Sequence, residues 1–81
     1  MILTLVDHEK YDHTNPSQGV LAEKVSDHVP LNGDLIKDGH TLSSFNVYRV
    51  ESRVFRSLPP KNGEDSQFDQ VYLLVSNVME H

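Results

Sequence analysis

Hydrophobic and polar residues alternate most regularly over residues 45–56 of this chain. The apolar members of the alternation are Tyr48, Val50 and Val54, and the charged residues between them are Arg49, Glu51 and Arg53. Successive side chains of a strand point to opposite faces of a sheet, so this pattern predicts a half-buried antiparallel strand. We expect its apolar face to contribute to a core and its charged face to lie in solvent.

Three further stretches rich in β-branched and apolar residues predict additional strands. Residues 1–6 are an apolar run, and residues 35–36 are a short apolar pair between two turn sequences. The unbroken apolar centre of residues 71–78 is typical of a strand buried on both faces, which places it centrally in the sheet. The charged stretch 7–15 shows no period and predicts a loop.

Residues 16–27 fit either a helix or a strand. The residues of a capping box precede an apolar spacing of four, which favours a short helix over 16–27. These residues are Asn15, Pro16 and Gln18 for the box and Leu21, Val25 and Val29 for the spacing. The alternative is a strand over 19–25, because Gly19 disfavours a helix and the residues after it also alternate. Pro30 ends either element.

Turn sequences separate the predicted elements. Residues 31–34 contain Asn-Gly-Asp and predict a tight turn. The Asp38-Gly39 pair signals a two-residue hairpin, and the alternative is a wider loop over 40–44. The stretch 57–69 contains two adjacent prolines and an Asn-Gly pair. Because hairpin loops usually contain two to five residues, we predict that 57–69 is a long loop that includes Phe68.

Together these elements predict one small domain over residues 1–81 that is mainly β, or α+β if the helix forms. The expected architecture is an antiparallel meander or an SH3-like barrel of about four to five strands. A chain of 81 residues has no room for two hydrophobic cores.

Three segments together resemble small uncharacterised bacterial and phage proteins, and they are also similar to SH3-like barrels that enter a strand through a Gly-Asp turn. The segments are Pro30-Leu-Asn-Gly33-Asp34-Leu-Ile36, Tyr48-Arg-Val50-Glu-Ser-Arg53-Val-Phe55 and Tyr72-Leu-Leu-Val75. The resemblance covers about half of the chain, and its residues form turns and a core. It implies a small β module and names no activity.

The composition of the chain limits the cellular compartment and the classes of partner that we expect. The chain contains no cysteine, which excludes disulfides and thiolate chemistry and favours a reducing, cytoplasmic compartment. Its apolar start is too short for a signal peptide or a membrane span. With a net charge of −5 and scattered basic residues, we expect binding neither to nucleic acid nor to a membrane surface.

Histidine next to aspartate recurs along the chain and suggests one alternative function. Imidazole and carboxylate are ligands of zinc, manganese and iron, and the same groups can act as a general acid and base. The candidates are His8, His13, His28, Asp12 and Asp38. The alternative is therefore a metal-dependent or acid–base enzyme built at a homodimer interface. Because no dense ligand spacing occurs, we assign no catalytic residue, metal or cofactor.

The long loop 57–69 gives the leading hypothesis, which is a module that binds another protein. Loops of this length on a rigid sheet are often binding elements, and an exposed strand edge could extend the contact. We predict apolar anchors at Leu58 and Phe68 and an acidic rim at Glu64, Asp65 and Asp69. A further alternative is an acidic nucleic-acid mimic of phage type, in which Asp34 and Asp38 would join that rim.

Overall fold

The structure is a curled sheet of five strands. The computed structural model of the chain describes residues 1–39, 41, 43–57 and 68–78. The strands are β1 Ile2–Asp7, β2 Val20–Val25, β3 Leu35–Gly39, β4 Phe45–Ser57 and β5 Phe68–Asn77. The predicted mainly-β class with four to five strands is confirmed. Within the described residues no helix is long and apolar enough to cross a membrane.

The strand order is β2-β1-β5-β4-β3, so β5 lies at the centre as the sequence predicts. β1 pairs with β2, β4 with β5, and β3 with β4, all antiparallel. The pairing of β1 with β5 is parallel, with Leu3 opposite Val71 and Leu5 opposite Leu73. The sheet is therefore mixed, and the expected purely antiparallel meander holds only for the β3-β4-β5 half.

The hydrophobic core lies on the concave face of the sheet. Its buried members come from the three central strands: Leu3, Leu5, Tyr48, Val50, Val71, Leu73 and Val75. Ala22, Val29 and Ile36 pack against this cluster from the two edges and from the segment that joins β2 to β3. Burial of each large aliphatic side chain contributes about 1.5–3 kcal/mol, so these few residues supply most of the stability of the domain.

The convex face is covered over β1 by the loop that follows this strand. Thr4 and Val6 are buried there, although they point away from the concave core. The Tyr11 ring lies 5.6 Å from the Tyr72 ring, and Gln70 Nε2 donates a 2.6 Å hydrogen bond to Thr4 Oγ1. Burial raises the pKa of the Tyr11 phenol. The loop 8–19 thus serves as a lid over one side of the sheet.

A β-bulge at Glu51 changes which side chains of β4 face the core. Val50 lies opposite Val75, but Ser52 lies opposite Leu74, so Glu51 is an extra residue in the ladder. The predicted alternation holds up to Val50 and is wrong beyond it. Arg53 and Phe55 join the face of Val50, and Val54 moves to the convex face, because a bulge shifts the side-chain parity by one.

The favoured helix over 16–27 is wrong, and the alternative strand is correct. β2 begins at Val20 and pairs with β1, with Ala22 opposite Leu5 over the core. Two of the apolar residues whose spacing suggested a helix, Leu21 and Val25, are exposed to solvent. Pairing with β1 outweighs the local helix signal, as tertiary contacts commonly do.

The two-residue hairpin at Asp38-Gly39 is also wrong, and the wider connection over 40–44 is correct. β3 extends through both residues, with Asp38 opposite Asn46 and Gly39 opposite Phe45. The connection is closed by Thr41, whose backbone N–H donates to the Ser44 carbonyl and whose Oγ1 accepts from the Ser44 N–H at 3.0 Å. These bonds stabilise a longer turn in place of the tight one.

Two glycines with left-handed backbone angles differ in the space around them, which gives a matched pair of substitutions. Gly19 has φ +79°, and a Cβ built there would lie 2.7 Å from Lys10 Cβ. Gly33 has φ +91° and nothing within 4 Å. We expect Gly33→Ala to lower the free energy of unfolding by about 1 kcal/mol through backbone strain alone. Gly19→Ala should cost about 2 kcal/mol or more, because a steric clash adds to that strain.

Urea denaturation of both glycine variants measures this difference. Equal losses of unfolding free energy in the two variants would show that the loop around Lys10 moves away from Gly19 without an energetic penalty, so that no steric clash remains.

Candidate functional site

The far end of the β4–β5 hairpin is the candidate site. These two strands are the longest in the sheet, with 13 and 10 residues. β3 pairs with β4 only as far as Arg49. Beyond Val50, whose N–H donates to the Asp34 carbonyl, β5 is the one described strand that pairs with β4. The end of the hairpin, which we call the arm, therefore extends past β3 over residues 50–57 of β4. It extends past β1 only at Ser57, Phe68 and Asp69, because β1 pairs with β5 as far as Gln70.

Two aromatic side chains contact each other near the end of this arm. The rings of Phe55 and Phe68 have centroids 5.2 Å apart and are tilted by 51°. Both remain in contact with solvent, with Phe55 40% exposed and Phe68 58% exposed. Such ring pairs are favourable beyond the area they bury, so the two side chains hold each other in place while much of their apolar surface stays uncovered.

The register of the hairpin explains how Phe68 reaches Phe55. Arg56 lies opposite Gln70, but Ser57 lies opposite Phe68, so the ladder shifts by one residue at Asp69. Phe55 lies opposite Val71, and directly opposite residues share a face. The shift moves Phe68 to the face of Phe55, which a regular ladder would have given to Asp69.

Charged side chains project from both faces of the hairpin near the aromatic pair. The Arg56 guanidinium binds the Asp69 carboxylate through two hydrogen bonds, Nε to Oδ1 at 3.2 Å and Nη2 to Oδ2. These bonds lower the pKa of Asp69 and raise that of Arg56. The guanidinium carbon of Arg53 lies 5.6 Å from the centroid of the Phe55 ring. The arm thus combines two aromatic rings, an arginine beside one of them, and an ion pair on its other face.

The predicted docking residues are only partly described by the structure. Phe68 and Asp69 belong to β5 and not to a loop, because this strand begins at Phe68 and not at residue 71. Phe68 is exposed, as an anchor must be, and Asp69 is engaged by Arg56. The other three predicted residues, Leu58, Glu64 and Asp65, lie outside the described residues.

Phe55 is the member of the site that sequence reasoning missed. The alternation over 45–56 assigns Phe55 to the same face as the charged residues. Its true neighbours follow only from the bulge at Glu51 and from the register between β4 and β5. A possible signal is the run Glu51-Ser52-Arg53, which interrupts the apolar alternation in the middle of a long strand.

The histidine and aspartate candidates for a metal or acid–base site are dispersed. His8 follows β1, His13 packs edge-on against Tyr11 over the convex face, and His28 is exposed in the segment after β2. Asp12 accepts hydrogen bonds from Thr14, which lower its pKa, and Asp38 lies on the concave face against Lys24. Among the described residues no group of three or more such side chains could hold a metal ion.

The carboxylates proposed for an acidic face are largely occupied by other contacts. Asp38 and Asp69 are each paired with a basic side chain, Lys24 and Arg56 respectively. Asp34 Oδ2 accepts the Leu31 N–H at 2.8 Å and stabilises its own turn. Over the part of the chain that the structure describes, the geometry therefore gives no support to a mimic of nucleic-acid phosphates.

Comparison of the chain with protein-family models, with curated proteins and with solved structures finds no match.

Proposed function

We propose that this protein is a small interaction module, a subunit, adaptor or inhibitor that docks onto a larger partner protein through the end of its β4–β5 hairpin. The observation that carries this proposal is the solvent-exposed pair Phe55 and Phe68 at the end of the β4–β5 hairpin, where β4 has already extended past β3. The residues that follow Ser57 in the sequence, including Leu58, Glu64 and Asp65, belong to the same proposed surface. The lack of cysteine supports a reducing compartment, and the proposal assigns the protein to the cytoplasm.

The composition of the arm matches what protein interfaces use for affinity. Aromatic residues and arginine are enriched among the few residues that dominate binding energy, and they cluster at the centre of an interface. Single exposed apolar residues are common on surfaces, but two aromatic rings in contact form a patch that water solvates poorly. Arg53, which shares the face of the rings and lies beside Phe55, suits a polar rim.

Affinity capture from the source-cell lysate tests the proposal with three forms of the protein. These are the wild type, the double variant Phe55→Ala/Phe68→Ala, and Leu31→Ala as a control. Leu31 is exposed to the same extent as Phe68 but lies in the turn before β3. Loss of one anchor typically weakens binding by about 2 kcal/mol, roughly 30-fold in Kd. We expect one stoichiometric partner to be retained by the wild type and the control and to be depleted at least about tenfold with the double variant.

Circular dichroism of the double variant must show the wild-type fold. Equal recovery of the same partner by all three forms would contradict docking through the arm. Unfolding of the double variant would show that the two rings belong to the core, and the proposal would then fail.

A further inference from the structure

The two edges of the sheet face each other across an open gap. β2 and β3 lie at opposite ends of the strand order, yet Lys24 Nζ of β2 is 2.6 Å from Asp38 Oδ1 of β3. Both side chains project from the concave face, since Lys24 lies opposite Leu3 and Asp38 opposite Asn46. The sheet therefore curls until its edges approach, which makes it a half-barrel.

The width of this gap is bounded by two observations. No Cα atom of β2 lies within 8 Å of a Cα atom of β3, so the two strands cannot pair directly. Lysine and aspartate side chains reach about 6 and 4 Å from their Cα atoms, so the ion pair limits the separation of those atoms to about 13 Å. Two strands that flank a third are about 10 Å apart, and two that flank a pair are about 14 Å apart. The separation at this pair therefore lies between about 8 and 13 Å, a range that contains the spacing around one inserted strand and excludes the spacing around two.

β2 and β3 are the two edges of the sheet that the described residues form. β2 pairs only with β1, and β3 pairs only with β4. Within the described residues, no hydrogen bond outside these ladders involves the backbone of 20–25 or 35–39. The outward N–H and C=O groups of two edges are therefore available to the same incoming segment. Such groups are what an added strand recognises.

Side chains and a cavity beside the gap indicate what kind of segment fits. Val25 on one edge and Leu35 on the other are 84% and 62% exposed. A cavity of about 520 Å³ lies where β2 ends and β3 begins, lined by Ser26, Val29 and Asp34 among others. On the concave side, the Lys24–Asp38 pair crosses the gap, so we expect small side chains there. An alternation of apolar residues outward and small residues inward satisfies both sides.

We propose that the gap between β2 and β3 is a slot for one extended, proline-free peptide segment of a partner protein, which enters as a sixth strand. Because β2 and β3 run in opposite directions, the segment is antiparallel to one edge and parallel to the other. This slot is separate from the arm of β4 and β5, and neither proposal depends on the other.

A synthetic peptide tests the slot on the intact protein. The probe has the sequence Lys-Thr-Val-Thr-Val-Thr-Val-Lys, with capped ends, and two derivatives carry N-methyl groups on either all valines or all threonines. Successive N–H groups of a strand point to opposite edges, so each derivative loses its bonds to one edge only. We expect the parent peptide to slow amide exchange in both β2 and β3, by about tenfold at ten times its Kd. Both derivatives should bind at least about tenfold more weakly, a loss of about 1.4 kcal/mol.

Other outcomes overturn the proposal in distinguishable ways. If only one derivative loses affinity, or only one strand is protected, the peptide adds to a single edge and not into a slot. No change of exchange at peptide concentrations of several millimolar means that the gap takes no strand. Protection of β2 and β3 that grows with protein concentration alone assigns the gap to a second copy of the chain. The double variant Val25→Ser/Leu35→Ser should bind the peptide more weakly than the wild type does. The double variant Phe55→Ala/Phe68→Ala should bind it with wild-type affinity.

Discussion

Replacement of Leu73 by alanine is expected to lower the free energy of unfolding by about 3 kcal/mol. Leu73 is fully buried in the central strand, where it lies between Leu5 of β1 and Arg53 of β4. The substitution removes three buried carbon atoms and leaves a cavity that a thin, single-layered core cannot easily fill. A domain of this size has a total stability of about 4–12 kcal/mol, so the variant should be partly unfolded near body temperature.

Urea denaturation followed by circular dichroism measures this loss, with Leu35→Ala as the matched control. Leu35 is the same residue type on an edge strand and is 62% exposed, so its truncation should change stability by no more than about 0.5 kcal/mol. Similar losses in the two variants would contradict the assignment of Leu73 to the core.

Replacement of Lys24 by alanine is expected to lower the free energy of unfolding by about 2 kcal/mol. Replacement of its partner Asp38 is expected to lower it by less. Asp38 is only 8% exposed, and the Lys24 ammonium neutralises it across the gap. Without Lys24 a buried carboxylate remains unpaired, whereas Asp38→Ala leaves a lysine that is half in solvent and can be hydrated. Removing one partner of a buried pair is costly mainly because of the charge left behind.

Thermal denaturation of Lys24→Ala, Asp38→Ala and their double variant measures the asymmetry. Glu23→Ala, an exposed neighbour on β2, is the control and should leave the melting temperature within a few degrees of the wild type. The double variant should recover part of the stability that Lys24→Ala loses, because it also removes the unpaired Asp38 carboxylate. A Lys24→Ala variant as stable as the control would show that the pair does not hold the edges together.

The class of the fold and its central strand were accessible from sequence because they depend on local composition. The apolar run 71–78 predicts a strand buried on both faces, and β5 is that strand. Alternation in 45–56 likewise predicts β4 almost to its ends. The parallel pairing of β1 with β5 was not accessible, because residues 3 and 71 are brought together by the whole chain and neither segment encodes its partner.

The errors arise where a local signal competes with a contact made far away in sequence. The capping box at Asn15 favours a helix, but Ala22 gains a place over the core only if residues 20–25 pair with β1. Asp38-Gly39 is a good turn sequence, but the ladder with β4 continues through it.

The candidate site was only half predictable for the same reason. Phe68 was predicted to be an anchor because it is an apolar residue in a polar stretch. In the structure it is the first residue of β5. Its contact with Phe55 depends on two register shifts, at Glu51 and at Asp69, and a shift of one residue exchanges every side chain between faces. No spacing rule within one strand can reveal such a shift, because it is a property of the pair.

Both proposed binding surfaces depend on one structural claim, which is that the sheet has the order β2-β1-β5-β4-β3 with free edges and a shifted β4–β5 register. Solution NMR on the full chain tests it most directly through contacts between backbone protons and between rings. We predict parallel-strand contacts between residues 2–7 and 70–75, ring contacts between Phe55 and Phe68, and rapid exchange of the outward amides of β2 and β3. Antiparallel contacts between β1 and β5, or sequential amide contacts of a helix over 16–27, would contradict the account.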